Sequence, residues 1–113
     1  MELVQLTFFT DDVPSTTRFY ERLYGFGPVH TDTSIAIFDL DGVDVMIHET
    51  YDSGPDRLPP EDHAEYAVDD VDERFATLVD DGIEPFRKPA DYERGRAAYL
   101  RDPVGRIVEL VER

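Results

Sequence analysis

Residues 61–85 read EDHAEYAVDDVDERFATLVDDGIEP, and the succession of patterns inside this stretch decides the fold. From His63 to Asp69 the residues alternate. Ala64, Tyr66 and Val68 fall on one side of an extended chain, and His63, Glu65 and Ala67 fall on the other. At Asp70 the period changes. Val71, Phe75, Leu78 and Val79 recur at i, i+4, i+7 and i+8, which predicts one apolar stripe on a helix from Val71 to about Asp81. Asp70 is its N-cap, Glu73 completes the spacing of a capping box, and Gly82 suits the left-handed residue that follows a helix.

The same succession occurs earlier, in LVQLTFFTDDVPSTTRFYERLYGF at residues 3–26. QLTFFTDDV at 5–13 and HAEYAVDDV at 63–71 both end in Asp-Asp-Val, so the chain reads as an internal repeat. The first helix is expected from Pro14 to Tyr24. Asp12 is its cap, Pro14 sits in its first turn, and Phe19 and Leu23 share one face beside Tyr20. Val4, Leu6 and Phe8 of the preceding strand suit packing under it.

Strands are expected at 2–10, 34–40, 43–49, 63–69, 97–101 and 106–112, with weaker ones at 27–31 and 84–88. Asp41-Gly42 signals a two-residue hairpin, and Asp102-Pro103-Val104-Gly105 signals a turn. Residues 51–62 hold three prolines and no periodicity, which makes them a linker. The order is therefore βαβββ over about 1–50, linker, then βαβββ over about 63–113, in a single domain. Strands that cluster after each helix favour an α+β class over a doubly wound sheet.

Composition narrows the function. The net charge is −15, and Lys88 is the single lysine among 11 basic residues. Such a field repels phosphate backbones, so nucleic acid is not an expected partner. Excess carboxylate with almost no lysine predicts a protein adapted to a salty cytoplasm, where screening relieves the repulsion. The sequence has no cysteine, which excludes disulfides, thiolate metal sites and cysteine nucleophiles. No apolar run is long enough for a membrane span, and MELVQL lacks the features of a secretory signal, so a cytoplasmic location is expected.

Alternation places Gln5, His63 and Glu109 each on the strand face away from the helix. Gln5 and His63 also occupy equivalent places in the repeat, six residues before Asp11 and Asp69. An amide oxygen, an imidazole nitrogen and a carboxylate are suitable ligands for a divalent first-row metal. Equally, each is a residue that a strand can simply present to solvent. Arg96 and Arg101 are candidates to attract an acidic substrate or to balance acidic neighbours. His30 reads as a surface residue.

The two Asp-Asp helix entries, together with YLRDPVGRIVELVER at 99–113, resemble the vicinal oxygen chelate superfamily of glyoxalases, bleomycin-resistance proteins and extradiol dioxygenases. The likeness spans nearly the whole chain. It implies a cupped, mixed eight-stranded sheet made by the two βαβββ modules, with the helices outside. It implies a metal site at Gln5, His63 and Glu109 for Fe, Mn, Ni, Zn or Co, with Glu109 as the catalytic residue, or no metal at all. Where glyoxalases carry a glutamate on the fourth strand, this chain has Met46 or Ile47, and His48 and Glu49 are the candidate substitutes for a fourth ligand. That departure fits the three-ligand arrangement of the dioxygenases, or loss of the metal. Thr7, Phe9, Phe38, Glu65 and Tyr99 are the candidate pocket residues. The expected activity is that of a metal-dependent lyase or dioxygenase on a small oxygen-bearing substrate. The alternative is a metal-free protein that binds a small molecule or antibiotic. The family's paired modules imply a homodimer.

Overall fold

A computed structural model describes residues 1–93 and 95–113 of the chain. Among them are eight strands and two helices in βαβββ-βαβββ order, the α+β class the sequence predicts. They are β1 (Glu2–Thr10), α1 (Val13–Tyr24), β2 (His30–Thr31), β3 (Ile35–Leu40), β4 (Val43–Glu49), β5 (His63–Val68), α2 (Val71–Asp80), β6 (Glu84–Tyr92), β7 (Gly95–Arg101) and β8 (Ile107–Glu112). Among the described residues, no helix is long and apolar enough to cross a membrane. The chain divides into two compact units. The first is Gln5–Asp62, and the second joins Met1–Val4 to His63–Arg113.

In the first unit, β4 lies parallel to β1 and antiparallel to β3, and β2 pairs with β3. The β3–β4 hairpin turns at Asp41 (φ 53°) and Gly42 (φ 93°), the pair of positive φ angles a tight hairpin requires. Asp12 caps α1 by accepting from Ser15 N–H at 3.1 Å. Beneath α1, Val13, Ala36, Phe38, Val45 and Ile47 form the core, with Phe8, Tyr20 and Tyr24 packed against it. The helix therefore presents Val13, Tyr20 and Tyr24 inward. Phe19 and Leu23, which share one face beside Tyr20 by spacing, are 60% and 62% exposed. The i, i+7, i+11 spacing of the inward residues turns these two outward.

In the second unit β8 is parallel to β5, and β7 is antiparallel to both β8 and β6. Asp70 caps α2 through Glu73 N–H at 3.1 Å, and Gly82 takes φ 96° just past its end. The predicted stripe is the packed one: Phe75, Leu78 and Val79 sit with Val71 on Tyr66, Val68, Ala98, Leu100, Val108 and Leu110. The segment expected at 84–88 extends to Tyr92 with two shifts of register. Pro85 and Pro89 lack ladder donors, which an edge strand tolerates. The segment expected at 27–31 forms a strand only at His30–Thr31. Val4, expected under a helix, instead packs against Ala67 and Val111, on the face away from α2.

A buried acidic row as candidate functional site

Because Tyr66, Ala98, Leu100, Val108 and Leu110 face α2, their neighbours along each strand face the other way. Register then lines those neighbours up. Glu65 is the Cα partner of Glu109, Glu109 of Tyr99, and Tyr99 of Arg87, so four strands place Glu65, Glu109, Tyr99 and Arg87 in one row. His63, two residues before Glu65, shares that face. Its Nε2 lies 3.2 Å from Glu109 Oε1, and the two side chains are only 5% and 4% exposed. Glu65 is also buried, and Arg113 approaches its Oε2 at 3.7 Å from the surface.

Two carboxylates directly opposite on adjacent strands repel each other, and burial removes the water that would screen them. Such a row requires positive partners. His63 and Arg113 approach the two carboxylates, Arg87 stands at the far end of the row beside Tyr99, and a cation bound there is the other means of neutralising it. The donor chemistry fits a metal. Two adjacent ligands about 2.1 Å from one first-row ion lie about 3 Å apart, close to the His63–Glu109 separation.

Other predicted residues fall in the first unit. Gln5 and Thr7 are buried on the face of β1 away from α1, where the Gln5 amide donates to Thr7 Oγ1 at 3.0 Å. Phe9 is the Cα partner of His48, and the two rings lie 5.4 Å apart, with Tyr51 edge-on to both. The His48 Nδ1 is 2.7 Å from the Glu49 carbonyl oxygen, and Glu49 is exposed. Phe38, expected to line a pocket, is fully buried in the core under α1. Its register opposite Val45 puts it on the helix side of the sheet.

Arg96 holds Asp72 through two nitrogens, at 2.6 and 2.8 Å, and Asp91 at 3.0 Å. It therefore balances acidic neighbours. The hydrogen bonds Arg96 donates to Asp72 and then to Asp91 raise its pKa further, and Arg96 lowers that of Asp72. Arg101 donates to the Gly105 carbonyl and lies over the Phe86 ring. His30 is exposed beside Asp32. Asp70, Asp72 and Glu112 bring oxygens within 4.8 Å of one another. Each is already engaged in holding the fold. Asp70 caps α2, Glu112 accepts from Val71 N–H, and Asp72 pairs with Arg96. Arg87 and Arg113 complete the acidic row and stand outside the set of residues that the sequence singles out. Alternation within β6 points to Arg87, but the prolines obscure that strand in the sequence.

This chain belongs to the Glyoxalase family, described as the Glyoxalase/Bleomycin resistance protein/Dioxygenase superfamily, whose model matches residues 2–110. None of the curated proteins matches it. Among solved structures it is similar to a hypothetical protein of Bacillus halodurans C-125, at 17% identity and a TM-score of 0.76, covering 99% of this chain and 94% of that one. It is also similar to a glyoxalase/bleomycin resistance protein/dioxygenase superfamily member from Vibrio splendidus 12B01, at 17% identity and a TM-score of 0.69, covering 99% and 98%. A third likeness is to a single-residue variant of Streptomyces coelicolor methylmalonyl-CoA epimerase in complex with 2-nitronate-propionyl-CoA, at 22% identity and a TM-score of 0.67, covering 99% and 94%. At identities this low, the TM-scores show a shared fold.

Proposed function

We propose that the chain is a metal-dependent enzyme acting on a small oxygen-bearing substrate, with His63 and Glu109 as the ligand pair in the second unit. The observation that carries this reading is the buried His63–Glu109 contact beside a second buried carboxylate, Glu65, in register with it. When bound, the metal supplies Lewis acidity to two neighbouring substrate oxygens. His63 and Glu109 hold it. Glu65, kept in place by Arg113, is positioned to take up a proton from the substrate and return it. Glu109 keeps a second oxygen for the same purpose. Tyr99, beside Glu109 in the row, orients the substrate. The working form is a homodimer.

Elemental analysis of the purified protein tests the reading. One metal ion per chain is expected in the wild type, with loss in both His63→Ala and Glu109→Ala. Wild-type protein that takes up no divalent ion after metal supplementation overturns it. One observation favours the competing reading, a metal-free binding protein: His63 and Glu109 already satisfy each other by hydrogen bonding. That reading predicts high-affinity capture of a small molecule in the presence of chelator.

A further inference from the structure

The face of the second unit that carries α2 holds a cavity of about 590 Å³. Its origin is a mismatch of lengths. α2 has ten residues, so it spans about 15 Å, whereas a six-residue strand such as β5 or β8 spans about 20 Å. Packing is complete around Val71 and Val68, near the start of the helix. Near its end, Tyr66, Leu78, Ile83, Leu100, Val108 and Leu110 line open space. Leu100 and Leu110 are almost wholly buried, while Ile83 and Met1 are the exposed apolar residues at the cavity.

We propose that this cavity is a binding site for a neutral, largely apolar small molecule. Its size falls within the range of cavities that enclose such ligands. The polar side chains that reach it already have partners or face water. The Asp102 carboxylate accepts from Val104 N–H and Arg106 N–H, Arg101 donates to the Gly105 carbonyl, and Glu84 is exposed. Glu84 and Asp102 together with a net charge of −15 repel an anion, and the largely apolar wall disfavours a buried charge of either sign, so the cavity suits an uncharged guest. The site is separate from the acidic row yet built on the same strands. Tyr66 follows Glu65, Leu100 follows Tyr99, and Leu110 follows Glu109, on the opposite face in each case.

The test is titration with N-phenyl-1-naphthylamine, a neutral fluorophore, with circular dichroism to confirm folding. Saturable, blue-shifted emission is expected from the wild type. Ile83→Arg, which puts a charge among the exposed residues of the cavity, is expected to weaken binding by roughly tenfold or more. His63→Ala, on the far face, is expected to bind the probe as the wild type does. Absence of saturable binding overturns the proposal, as does equal binding by a folded Ile83→Arg protein. Loss of binding in His63→Ala places the probe on the acidic row and also overturns it. So does light scattering in which Ile83→Arg converts a dimer into monomers while neither form binds the probe, because the cavity is then a contact between two copies.

Discussion

Replacing Glu65 by glutamine should make the metal-free protein more stable. Glu65 and Glu109 are Cα partners on parallel strands and both are buried. Strands in a sheet lie about 5 Å apart, and at an effective dielectric of about 20 two like charges at that distance repel by about 3 kcal/mol. His63 beside Glu109 and Arg113 beside Glu65 offset part of this. Glutamine keeps the shape, and its amide N–H turns the repulsive pair into a donor facing an acceptor. The ion pair to Arg113 that the substitution removes is half in water, where such pairs contribute little. The net gain is about 1–3 kcal/mol, which for a chain of this size raises Tm by about 4–12 °C. Thermal melts followed by circular dichroism in chelator, with wild type and variant at one ionic strength, measure it. A variant with an equal or lower Tm would refute the reasoning, because the two carboxylates then do not act as a like-charge pair. On the proposed metal-dependent function, adding a divalent ion should narrow the gap, since an ion that binds the folded form stabilises it.

Three further outcomes follow from other parts of the molecule. Asp70→Ala removes the α2 cap and should cost about 1 kcal/mol, read as a Tm lower by about 4 °C; an unchanged Tm would show the cap to be idle. Asp102 is held below the usual carboxylate range, chiefly by Arg106 N–H and then by the Arg106 side chain and Val104 N–H. Its contribution to the β7–β8 turn is therefore full above the ordinary range and is lost as pH falls through the lowered value. A carbon NMR titration of Asp102 with a midpoint at or above the ordinary value would contradict this. Finally, with a net charge of −15, Tm should climb as KCl rises from about 0.1 M to about 2 M and the screening length shrinks. A flat response would count against adaptation to salt.

The parts of the fold that are legible in the sequence are those where local signals agree. In 61–85 the alternation, the cap, the apolar stripe and the terminal glycine all point to one strand and one helix, and the structure has both. The limits come from information that is not local. Phe19 and Leu23 carry a plausible apolar spacing, but Val13, Tyr20 and Tyr24 reach the sheet and fix the rotation of α1. Strand parity puts Glu65, His63 and Glu109 on the face away from α2, because their neighbours along each strand belong to the α2 core. For Phe38 the face depends on its register with Val45 across a hairpin, which the β3 residues alone do not reveal. Arg113 reaches Glu65 across 48 positions of sequence, a meeting that no spacing rule encodes.

Val4 rests on Ala67 and Val111, so a valine near the start of the sequence finds its neighbours only far downstream. A ribosome releases residues 1–4 long before Val111 exists. Until then the opening of β1 is an unsatisfied apolar edge, free to seek the wrong companion. Closing that stitch joins sites of extreme sequence separation, which marks it as a late and slow event in folding. Val4→Asp should therefore hinder maturation of the second unit, although the residue altered belongs to the first strand.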